Sequence, residues 1–139
     1  MLTDRRGRKH TRTRLRLIAL AFAVVACSDS TATTQQECTG DVAISATGGT
    51  TPTITWSPAC RLWVLGVEEQ DGGDVWVITS SGGNRIASGV RYGTLPSGAA
   101  ALQPATPLVV GRTYSIFLAR HTGPASDDGV LVGTADFTP

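Results

Sequence analysis

The chain has 139 residues, a mass of 14.5 kDa and a formal charge of +1, with 41% hydrophobic, 17% charged and 6% aromatic residues. That is enough for one ordinary domain with a buried core, and it argues against a coiled coil or a fully disordered chain. The net charge hides a division: seven of the twelve Lys and Arg residues precede residue 17, whereas residues 27–139 carry five Arg, no Lys and ten acids, a charge of −5. An acidic domain gives no reason to expect nucleic-acid binding.

The first sixteen residues are basic, Leu17–Ala26 is an unbroken apolar run, and Cys27 follows Val24-Val25-Ala26. A charged stretch, a short apolar stretch and a small residue before the cut make a secretory signal, and the run falls well short of the roughly 20 residues a bilayer span needs. Val24-Val25-Ala26-Cys27 resembles the lipobox of bacterial lipoproteins. The resemblance implies a signal peptide over 1–26, acylation of Cys27 with palmitate-type chains, and membrane attachment through them. The competing reading is an ordinary secretory signal that happens to contain a cysteine. By resemblance to enteric lipoprotein sorting, Ser28 implies transfer to the outer rather than the inner membrane. Residues 27–37 then form the lipidated cysteine and a polar tether, since Ser28–Gln36 has almost nothing to bury.

Residues 38–139 form the domain, and from residue 41 the sequence reads as strands, with period-two alternation and no sustained helical period. Val42, Ile44 and Ala46 share one face of a first strand, and Ile54 and Trp56 one face of a second. A turn centred near Gly49 sets Ile44 opposite Ile54 and Val42 opposite Trp56, and the same register carried outward sets Cys38 opposite Cys60. Opposed residues lie close enough for a disulfide, and an exported protein sits where one persists. Two buried free thiols are the alternative. A second hairpin runs from Leu62–Glu69 through a Gly72-Gly73 loop to Asp74–Thr79. On it Trp63, Leu65 and Val67 share a face with Trp76 and Ile78, while Leu62, Val64, Val75 and Val77 lie opposite. Gly89–Gly93 is a short strand, Ser97–Pro107 a crossing loop, Leu108–Leu118 a strand with Tyr114 inward, and Gly129–Phe137 the last strand. About seven strands in such a length predict an antiparallel β-sandwich.

Thr51-Pro52-Thr53-Ile54-Thr55-Trp56 resembles the second strand of fibronectin type III and related immunoglobulin-like domains, where a Pro precedes a buried Trp. Leu108, Gly111 and Tyr114 resemble the entry to their sixth strand, where a tyrosine hydroxyl bonds backbone a few residues upstream. The resemblance implies Trp56 and Tyr114 as structural core. Fibronectin domains normally lack a disulfide, so strand order stays open.

Residue chemistry narrows the function. His121 is the one histidine after residue 26, no nucleophile elbow or phosphate-cradling loop is present, and no cofactor is implied. An envelope hydrolase is therefore the least favoured reading, and His121 reads as an exposed loop residue. Glu68, Glu69, Asp71 and Asp74 are the one acidic group to consider for calcium, but they match no calcium-loop spacing and read as a solvated turn. The favoured reading is a non-catalytic sandwich that presents a surface to an anionic envelope protein or polymer. Arg85, Arg91 and Tyr92 are the candidate contacts, because residues 75–126 carry four Arg and no acid. The alternative is a small-ligand or glycan-binding module using Trp63, Trp76 or Tyr92, although core placement of Trp63 and Trp76 is the stronger expectation.

Overall fold

A computed structural model describes residues 36–123 and 129–139. The expected signal peptide, Cys27 and the expected tether through residue 35 lie outside the described residues. Among the described residues eight strands form: β1 (Ala43–Thr47), β2 (Thr53–Ser57), β3 (Val64–Glu69), β4 (Gly73–Ser80), β5 (Val90–Arg91), β6 (Ala99–Gln103), β7 (Tyr114–His121) and β8 (Gly129–Phe137). They make two antiparallel sheets of a β-sandwich, ordered β1-β2-β5 and β6-β4-β3-β7-β8.

Alternation builds the core. Ile54, Trp56 and Val90 of the smaller sheet pack in one cluster with Leu65, Val67, Trp76, Ile78, Ile116 and Leu118 of the larger. Full burial of each such side chain contributes roughly 1.5–3 kcal/mol, which makes this cluster the main source of stability. On the outer face of the larger sheet, the Phe117 ring lies over its cross-strand neighbour Gly66, where a Cβ would come 2.0 Å from Phe117 Cζ. Only glycine fits beneath that ring.

The first hairpin differs from expectation by two residues. Ile44 faces Trp56 and Ala46 faces Ile54, with Thr47 and Thr53 closing a loop over 48–52. The reason is Pro52: the expected register would place it opposite Ala46, inside the ladder, where it has no N–H to donate. A shift of two preserves which face each residue takes, so the core survives the error. Cys38 and Cys60 are bridged, with Cα atoms 4.9 Å apart. They do not extend the hairpin ladder. Instead the segment around Glu37 runs parallel to that around Arg61, with Cys38 N donating to Arg61 O at 3.1 Å.

The second hairpin pairs Glu69 with Gly73, leaving a loop over 70–72 and a bulge opposite Val67 and Glu68. Gly73, at φ 137°, supplies the left-handed turn such bulged loops need. Two further expectations are corrected. Ser97–Pro107 is not wholly a loop, because its Pro-free stretch forms β6 against the free edge of β4, and Pro104 follows at its end. The strand expected from Leu108 begins only at Tyr114, because Val109–Arg112 closes a turn through Arg112 N and Val109 O at 3.2 Å, with Gly111 at φ 83°.

Candidate functional site

β5 and the loops flanking it carry the first candidate surface. Arg91 ends β5 and Arg85 stands just before it, and both are exposed. They line one groove of about 430 Å³ whose floor includes Ala87, Val90 and Pro96. Arg91 Nη2 makes one long contact, 3.5 Å, to Thr51 Oγ1, and neither guanidinium joins an ion pair among the described residues. The acid-free stretch thus becomes a groove with two arginines and, among the described residues, no acid in its lining. Its other arginines go elsewhere. Arg112 pairs with Glu69, and that hydrogen bond raises the guanidinium pKa above its ordinary value.

Tyr92 does not belong to that groove. Next to exposed Arg91 it points inward with Val90, 6% exposed, and packs edge-on against Trp76 at 5.1 Å. Its hydroxyl donates to Thr106 O at 2.6 Å, and burial pushes the phenol pKa up. The alternation Val90, Arg91, Tyr92 carries this signal in the sequence. In the acidic turn Glu69 is engaged by Arg112, and among the described residues no group of three or more His, Cys, Asp or Glu side chains is placed to hold a metal.

The tryptophans divide. Trp56 and Trp76 are buried at 3% and 1% exposure, and Trp56 Nε1 donates to Cys60 O at 2.8 Å. Tyr114 is 2% exposed and its hydroxyl accepts from Val109 N at 2.9 Å. Trp63, expected in the core, is only half-buried. Alternation breaks beside it: Leu62 and Leu65, three apart, are both fully buried, so Trp63 and Val64 between them are left at the surface. Leu62, expected on the opposite face, is therefore a core residue.

Trp63 lines the second candidate site, a cavity of about 660 Å³ shared with Glu37, Asn84, Arg120 and His121. The volume falls within the roughly 300–1,000 Å³ of small-ligand clefts. The indole lies over Gly129, where a Cβ would come within 3.0 Å, and meets the His121 ring edge-on at 5.1 Å. Asn84 fixes His121 from below: its side chain accepts from His121 N at 2.7 Å and donates to His121 O at 3.0 Å. His121 is consequently the last residue of β7, half-buried, rather than an exposed loop residue. Glu37, Asn84 and Arg120 had no sequence signal, because the fold alone brings residues so far apart together. The chain matches no protein-family model, no curated protein and no solved structure.

Proposed function

We propose that this chain is a lipid-anchored, non-catalytic β-sandwich module of the bacterial cell envelope, held at the outer membrane through acyl chains on Cys27, that docks an anionic partner in the Arg85–Arg91 groove. The observation carrying the reading is that two exposed guanidiniums, free of ion pairs among the described residues, line one groove together with apolar side chains. Arg is enriched at binding hot spots because its planar fork takes carboxylate or phosphate oxygens bidentately. The partition of strands supports a fibronectin type III-like arrangement, since β1, β2 and β5 oppose β3, β7 and β8 as strands A, B and E oppose C, F and G.

The test compares the parent with the Arg85→Ala/Arg91→Ala chain for capture of envelope components in detergent extracts at low and high salt. The double substitution should reduce capture of one anionic component, and salt should mimic the loss in the parent. Capture indifferent to both would remove the groove from the account.

A further inference from the structure

The cavity beside Trp63 combines features that the docking groove neither uses nor explains. We infer that it is a binding site for an acidic saccharide, a sugar carrying a carboxylate, independent of the Arg85–Arg91 groove. Three observations converge. Trp63 is the one tryptophan of the three left partly exposed, and it stands in the cavity wall. An aromatic ring at a wet surface offers the apolar plate against which the C–H face of a sugar ring packs. Arg120 lines the same cavity and joins no ion pair among the described residues. A guanidinium in a cavity wall takes a carboxylate as its best-matched acceptor, through charge-assisted hydrogen bonds from its planar fork.

The third observation is the company these two keep. Glu37 lines the cavity too, together with the Gly82-Gly83 turn, whose glycines sit at φ 76° and 100°. The Glu37 carboxylate calls for a hydrogen-bond donor, and polar walls disfavour a purely apolar ligand. Hydroxyls satisfy both constraints, since they donate to Glu37 and accept from backbone N–H groups. The wall is also preorganised. Asn84, 7% exposed, holds the backbone of His121 at both ends of its side-chain amide, and His121 in turn braces the indole. Preorganisation of this kind lowers the ordering cost of binding.

The placement of the tryptophans makes the test direct. Trp56 and Trp76 are buried, so a neutral quencher such as acrylamide reaches chiefly Trp63. The full chain in detergent is titrated with trigalacturonate, with maltotriose and with a tetra-aspartate peptide while acrylamide quenching is followed. Trigalacturonate should shield Trp63 saturably, and maltotriose should do so far more weakly. Arg120→Gln should weaken the acidic sugar by about ten-fold or more, the loss of one charge-assisted hydrogen bond, with an unchanged circular-dichroism spectrum. Arg120→Lys should recover part of it, and Arg85→Ala/Arg91→Ala should leave shielding intact even if that variant has lost its docking partner. Three results would overturn the assignment: no shielding by trigalacturonate at millimolar concentration, equal shielding by maltotriose, or shielding by the peptide alone. If Arg120→Gln alters the fold, Trp63→Phe followed by calorimetric titration replaces it, and undiminished heat there would likewise overturn the site.

Discussion

Tyr114 shows what a single hydroxyl contributes. Its phenol is buried and takes the Val109 N–H at the turn that leads into β7. Tyr114→Phe should destabilise the domain by about 1–2 kcal/mol, because the amide is left without its acceptor. A lower urea midpoint with unchanged slope is the expected result, and an unmoved midpoint would contradict the role. Tyr92 makes a pH prediction. Burial raises its pKa in the folded state, so its contribution is complete below the unfolded value, about 10, and is lost as pH rises through the folded value. Stability should fall in that alkaline window, and Tyr92→Phe should flatten the fall. A parent and variant with identical alkaline denaturation would contradict this. Both tyrosines were readable as residues, but only one by role. Tyr114 carries a turn signature in Leu108 and Gly111, whereas the inward aim of Tyr92 had to be taken from its parity with Val90. Parity misleads at Trp63, where the bend beside Leu62 exchanges inside for outside.

At the scale of strands, the bridge between Cys38 and Cys60 closes 22 residues. Its reduction should lower stability by about 3 kcal/mol by the chain-entropy estimate. Thiol titration of the native protein should find neither cysteine, and alkylation of both without reductant would contradict the bond. The Gly66–Phe117 pair couples β3 to β7. Gly66→Ala should cost about 1–3 kcal/mol, since its Cβ must displace a packed ring. In a Phe117→Ala background the same substitution should cost almost nothing, and an additive double-mutant cycle would show the ring is not the obstacle. Alternation made the strands of both hairpins readable, and their faces tolerated a register error of two. What the sequence hid was edge pairing. Ala99–Gln103 has weak strand character of its own and becomes β6 because β4 offers an unpaired edge.

For the molecule as a whole, the proposed function joins an acyl anchor on Cys27 to a groove formed in the middle of the sequence. Cys27→Ser should abolish labelling by palmitate and move the chain from the detergent phase to the aqueous phase. Labelling and partition like the parent's would remove the anchor. The sandwich was readable because strand count and alternation are local properties. The arginines of the groove were readable too, since one continuous segment, residues 85–97, lines it, whereas the cavity was not, because Glu37, Trp63, Asn84 and Arg120 meet only after the sheets close. The most direct measurement of the docking claim is photocrosslinking in intact envelopes from Ser97, in the wall of the Arg85–Arg91 groove, and from Thr55, exposed on β2. The account predicts a discrete adduct from position 97 that disappears with Arg85→Ala/Arg91→Ala, and none from position 55. The same adduct from both positions, or one that survives loss of both arginines, would contradict it.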